Sequence, residues 1–180
     1  MNTPSQDRKP DITAQMRGAR LKATPFDPRS QEASWFALEG SLTQAIETSW
    51  NAPPAVTVLS EGQDLAASWE QNVLGCNDNI FARHITLGVA NQVLVAARSV
   101  TDWNSSGMHA IKALGRRPLA QLLFQDARWR RQGNPIALTA ADKIAGRACL
   151  WAFSGEPAAT ILVEEFFFPE LLSKQAIQAN

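Results

Sequence analysis

Two apolar runs separated by two residues constrain this chain most. Ile80 to Val89 and Gln92 to Thr101 flank Ala90-Asn91. Both runs are apolar and rich in β-branched residues, and a two-residue connection leaves room only for a tight turn. The spacing predicts a β-hairpin and therefore antiparallel pairing. A second pair repeats the pattern: Arg147 to Phe153, the turn Ser154-Gly155-Glu156-Pro157, and Ala158 to Phe168, ended by Pro169. Val56 to Leu59 reads as a further short strand, and another is expected within 125–138. Helical patterns lie elsewhere. Asp27-Pro28 opens one that contains Trp35, Phe36 and Leu38. Ser41, with Gln44 three residues on, opens another through Leu42, Ala45 and Ile46, which Pro53-Pro54 stops. Residues 105–124 read as two helical pieces, the second beginning at Pro118. Helices that cluster instead of alternating with strands predict an α+β fold, with helices covering a single antiparallel sheet.

Composition excludes several classes of function. Seventeen basic and 17 acidic residues give a net charge of zero, so no global field draws nucleic acid or an anionic membrane. No apolar run approaches the roughly 20 residues of a membrane span. Cys76 and Cys149 read as reduced thiols of a cytoplasmic protein, and with His84 and His109 they show no metal-ligand spacing. Residues 1–25 are polar and basic without an apolar signal segment, which predicts a flexible tail. The folded domain is expected over 26–172, with a C-terminal tail at 173–180. With no exposed apolar repeat, the expected state is a monomer.

Phosphate-binding loops, nucleophile elbows and zinc-protease motifs are missing from the sequence. What remains is charge in apolar strands. Alternation puts Arg83 on the face of Phe81, Ile85 and Leu87. A guanidinium there needs an anion, either a structural carboxylate or a bound one. Glu164-Glu165 interrupts Ile161 to Phe168, so one glutamate meets apolar neighbours whichever face is inward. Burial would raise its pKa and suit it to acid–base work, while Arg98 in the first hairpin offers a structural partner. The short helices starting at Ser41-Leu42 and Pro118-Leu119 present amides that favour anions.

These same residues carry a family resemblance. Ala82-Arg83-His84-Ile85-Thr86-Leu87, Val95 to Val100, Leu114-Gly115-Arg116-Arg117-Pro118-Leu119 through Phe124, Ser154-Gly155-Glu156-Pro157 and Glu165-Phe166-Phe167-Phe168-Pro169 appear in order. The series, over about residues 27–169, resembles the bacterial chorismate lyases of ubiquinone biosynthesis. The resemblance implies one antiparallel sheet of about six strands with helical flaps over an enclosed ligand site. It implies conversion of chorismate to 4-hydroxybenzoate and pyruvate without metal or organic cofactor. It places the family's ligand-binding arginine on Arg83 and its glutamate on Glu165. Its two flap positions, which offer backbone groups, fall on Leu42 and Leu119.

The expected arrangement has Arg83 and the amides of Leu42 and Leu119 on the ring carboxylate. Glu165 is expected near the ether oxygen, where a carboxyl kept protonated by apolar surroundings would donate. Gly40, Gly107 and Gly115 are candidate flap hinges. A different class of function is a sensor domain that binds an aromatic acid without turning it over. Such domains follow a helix-turn-helix module, for which the residues before Asp27 are too few.

Overall fold

The structure is a computed structural model describing residues 11–24 and 26–177. α1 (Ile12–Arg17) begins where the Asp11 carboxylate accepts from the amides of Thr13 and Ala14, and it leads into the short strand β1 (Arg20–Leu21). α2 (Gln31–Phe36) and α3 (Leu42–Trp50) are capped by the hydroxyls of Ser30 and Ser41. Next come β2 (Ala55–Leu65), α4 (Ser68–Leu74), β3 (Asn79–Val89) and β4 (Gln92–Asp102). α5 (Ser106–Lys112) and α6 (Leu119–Gln125) precede β5 (Trp129–Thr139), β6 (Ala145–Phe153) and β7 (Ala159–Phe167), and α7 (Pro169–Leu172) closes the order.

The predicted hairpins form. Ala90 and Asn91 both take positive φ, 50° and 66°, which matches the turn to the twist of β3 and β4. All strands join one antiparallel sheet in the order β1-β5-β6-β7-β4-β3-β2. It has seven strands where about six were expected; the two-residue β1 accounts for the difference. α4 had no sequence signal, because its cap position is Ala67 and it has no side-chain cap bond. The first predicted helix starts later, at Ser30, since Pro28 lies in a turn.

The tails are corrected in part. Residues 1–10 lie outside the described residues. Residues 12–21 are not a tail: Met16 is buried against the sheet, and β1 pairs with β5 from Arg20 opposite Thr139. At the other end, Trp35 Nε1 donates to the Lys174 carbonyl at 2.8 Å, so residues following α7 pack on α2. Residues 178–180 lie outside the described residues.

Helices cover both faces of the sheet. On one face Ile80, Ala96, Val100, Leu162 and Phe166 pack under Met16 of α1 and Trp69 of α4. On the other, α2, α3 and α7 cover Ile85, Leu87 and Phe167, while α5 and α6 cover Phe81, Ile161 and Val163. The central strands are therefore apolar on both sides, and their charged residues have no water to turn to.

The face under α1 and α4 holds a buried ionic network centred on Arg98. Its guanidinium donates to Glu70 Oε1 at 2.9 Å, Asp64 Oδ2 at 2.7 Å and His84 Nε2 at 3.0 Å. Glu164 lies directly opposite Arg98 in register, with 3.7 Å between Nε and Oε1. Among the described residues no donor reaches either Glu164 oxygen, as a buried carboxylate would need. Full burial pushes this carboxyl well above its ordinary 4.5, and the hydrogen bond and charge of Glu70 push it further. Burial pulls Glu70 upward too, but bonds to Glu164 and Arg98 hold it below its ordinary value. Glu164 is thus the protonated partner. His84 is lowered to about 4, first by burial and then by the Arg98 and Arg17 charges. It is neutral, accepting from Arg98 at Nε2 and donating from Nδ1 to Ser60 Oγ.

Two outcomes are expected. Arg98→Met loses about 3–5 kcal/mol of unfolding free energy in urea at pH 7, because Glu70 is left buried without its cation. Glu164→Gln keeps the shape and the donor. Stability tied to a neutral Glu164 is present below its ordinary 4.5 and lost as pH rises, so the variant's advantage over the parent grows above that pH. For His84 the sign is opposite: its contribution is present above 6.5 and lost as pH falls toward about 4. In the folded protein its ring resonances, followed by NMR, are expected to stay those of neutral histidine from pH 8 down to pH 5.

Candidate active site

The cavity arises where the sheet is floored by small side chains. Strand alternation turns Ile85 and Leu87 of β3, Ala97 and Ser99 of β4, and Val163 of β7 to the face beneath α3 and α6. Ala97 and Ser99 occupy the middle strand and leave space above them. Gly40 to Thr43 and Pro118 to Ala120, the starts of α3 and α6, roof it. Together they bound about 570 Å³ of empty space, part of it open to solvent. The lining is mostly apolar, with Arg131, Arg147 and Glu165 as its charged members.

Glu165 enters from β7 directly opposite Arg147 of β6. Arg147 Nε donates to Glu165 Oε2 at 2.7 Å, and its Nη1 donates to the carbonyls of Phe36 and Leu38 at 3.0 and 2.7 Å. Burial pulls the Arg147 pKa down, but the charge and hydrogen bond of Glu165, together with the Cys149 thiol, leave it above its ordinary value. β6 comes this close because residue 146 is glycine: a Cβ there would lie 2.6 Å from the Glu165 carbonyl oxygen. The apolar surroundings expected for Glu165 are corrected here. Its nearest partner is a cation, so the side chain is set up to accept a hydrogen bond.

Leu42 and Leu119 both line the cavity, each as the first residue of its helix. First-turn amides have no intrahelical acceptor, which leaves these N–H groups available to a ligand. At α3 the Ser41 hydroxyl takes the Gln44 amide at 3.3 Å, and at α6 Pro118 provides no side-chain cap.

Arg83 is placed differently. It is buried on the predicted face, yet it does not line the cavity. Its Nη2 donates to the carbonyls of Gly115 and Arg117, at 2.7 and 3.1 Å, bracing the turn that leads into α6. Its Nε is 3.4 Å from Glu61 Oε2 and makes no hydrogen bond. Burial lowers its pKa, and the Glu61 charge offsets only part of that. The fold therefore gathers Leu42, Leu119 and Glu165 around one space and keeps Arg83 behind the roof of α6. Among the expected hinges, Gly40 lines the cavity and Gly115 takes a positive φ of 57°. Gly107 is instead a packing residue, since a Cβ there would meet Thr101 Oγ1 at 2.5 Å.

Two arginines were missed. Arg147 carried the same signal as Arg83, a charge inside an apolar strand, between Ala145 and Phe153. Arg131 gave none, because the segment Arg130-Arg131-Gln132 reads as a solvated edge. In the structure Arg131 donates to the carbonyls of Leu38 and Glu39 at 3.3 and 3.2 Å. Its guanidinium lies 5.4 Å from the Trp151 ring centroid.

The sequence profile of the family described as chorismate lyase matches residues 19–177. The chain is 30% identical over 158 residues to a probable chorismate pyruvate-lyase of Methylococcus capsulatus, covering 78% of this chain and 96% of that relative. It is 33% identical over 111 residues to a probable chorismate pyruvate-lyase of Pseudoalteromonas atlantica, covering 58% of this chain and 57% of that relative. Among solved structures it is similar to the C-terminal domain of histidine utilization repressor from Pseudomonas syringae, with a TM-score of 0.48 and 10% identity over 71% of this chain and 97% of that one. The profile match takes in both roofing helices and every strand that frames the cavity, and on that ground the chain belongs to the chorismate lyase family.

Proposed function

We propose that the protein is a chorismate pyruvate-lyase, converting chorismate to 4-hydroxybenzoate and pyruvate as the first step of ubiquinone ring synthesis. In this reading it is a monomeric cytoplasmic enzyme that needs no metal or organic cofactor. The observation that carries it is a glutamate held by a buried arginine inside a mostly apolar cavity, beneath two helix starts.

The chemistry asks little of the protein. The bond from the ring to the enolpyruvyl ether oxygen breaks, and the hydrogen on the neighbouring hydroxyl-bearing carbon leaves. The ring becomes aromatic, and its hydroxyl is then the phenol. Enolpyruvate gains a hydrogen at its methylene and is released as pyruvate. Atoms balance without an oxidant or reductant, and aromatisation supplies the drive. The protein's work is orientation and exclusion of water.

Glu165, bound to Arg147, accepts from the ring hydroxyl and fixes that end of the ligand. This replaces the expectation that Glu165 donates to the ether oxygen, which leaves with pyruvate. The amides of Leu42 and Leu119 receive the ring carboxylate at the other end. Arg83 joins them by turning from the Gly115 and Arg117 carbonyls, which brings its unbonded guanidinium capacity to the ligand. Release of product requires the roof to open, so bound 4-hydroxybenzoate leaves slowly.

The test follows pyruvate release from chorismate by the purified protein. Glu165→Gln and Arg147→Met are each expected to lower kcat/KM about 100-fold, the cost of misplacing a ligand in a preorganised site. Thermal unfolding of each variant separates that loss from misfolding. 4-Hydroxybenzoate is expected to inhibit below the KM for chorismate. A parent protein that binds 4-hydroxybenzoate but releases no pyruvate would mark a binding domain and defeat the lyase reading.

A further inference from the structure

Chorismate carries a second carboxylate, on the side chain that leaves. Enclosing it needs a countercharge, because an unpaired buried carboxylate costs several kcal/mol. The cavity wall offers two guanidinium groups. That of Arg147 is already committed to Glu165. That of Arg131 is not: its bonds go to two neutral carbonyls, and no carboxylate among the described residues lies within 4.0 Å of it.

Its position fits the side chain. Arg131 and Arg147 share one acceptor, the Leu38 carbonyl. Arg131 is therefore linked to Arg147 by two hydrogen bonds through that carbonyl. With the ring hydroxyl on Glu165, the ether stands on the adjacent ring carbon, at the same end of the ligand. Arg131 and Trp151 also border two neighbouring clefts along β5.

We propose that Arg131 binds the enolpyruvyl carboxylate and is the residue that distinguishes the dianionic substrate from the monoanionic product. The assignment rests on the lyase reading of the same cavity. In its other state the guanidinium holds the Leu38 and Glu39 carbonyls, in the turn that joins α2 to α3. Pyruvate's departure removes the carboxylate and returns Arg131 to that turn. The planar fork suits either a carboxylate or a pair of carbonyls, and both are within reach of one side chain.

The experiment compares chorismate with 4-hydroxybenzoate in the parent, Arg131→Gln and Arg131→Lys. In the glutamine variant KM for chorismate is expected to rise roughly 10- to 100-fold, the worth of a charge-assisted hydrogen bond. The inhibition constant for 4-hydroxybenzoate is expected to stay within about threefold, since the product lacks this carboxylate. Lysine keeps the charge without the fork and is expected to fall between. An unchanged KM for chorismate, or equal weakening of both ligands, overturns the assignment. Absence of turnover in the parent defeats the lyase reading instead. Calorimetric titration of intact chorismate and 4-hydroxybenzoate into parent and variants then yields the same selectivity ratio. A ratio unmoved by Arg131→Gln overturns the assignment there too.

Discussion

Helices on both faces of β7 impose the constraint on which the rest depends. Two consecutive residues of this strand, Glu164 and Glu165, point to opposite faces, both covered by helices. Each glutamate therefore needs a partner within the protein, and each has an arginine directly across the ladder: Arg98 on β4 and Arg147 on β6. The two pairs are one arrangement repeated on two sides of a sheet. They differ in what surrounds them. Around Arg98, Asp64, Glu70 and His84 complete a closed network in which Glu164 stays protonated. Around Arg147 the helices stand off the sheet, and Glu165 faces a cavity.

That difference separates stability from function. The network under α1 and α4 ties the sheet to its cover with fully enclosed bonds. On the opposite face the same chemistry is left incomplete, because Ala97 and Ser99 are too small to fill the space and α3 approaches it only by its first turn. The arginines on this side bond to backbone carbonyls of the roof: Arg147 to Phe36 and Leu38, Arg131 to Leu38 and Glu39, Arg83 to Gly115 and Arg117. Arg147 and Arg131, the cations that line the cavity, are thus also ties that hold its roof in place.

Much of the fold was legible because its signals are local. Ala90-Asn91 takes the left-handed turn that its length demanded, and the parity of β3 puts Arg83 on the face of Ile85 and Leu87. Ser41 and Pro118 mark the two helix starts that roof the cavity. The misreadings share a cause as well. The segment 12–21 looked like a tail because six helical residues and a two-residue strand carry no periodicity; β5 and the sheet beneath α1 order it. α4 lacked a capping side chain, and its role became visible only when Glu70 was found on Arg98. Arg83 was expected in the ligand site. Its face was right, but the carbonyls it meets belong to a turn more than thirty residues away.

By itself the sequence determined the strands, their parity, the α+β class and the presence of charge in places that water cannot reach. Those follow from residue size, apolar period and turn length, all properties of neighbours along the chain. Only the tertiary structure decided which charge meets which. β7 lies between β4 and β6, and that order alone gives Arg98 to Glu164 and Arg147 to Glu165. Pairing is set by registers between segments far apart in sequence, and a shift of one residue would exchange the two faces. The same registers set Arg131 beside the cavity with no carboxylate partner among the described residues, which no local pattern in the chain records.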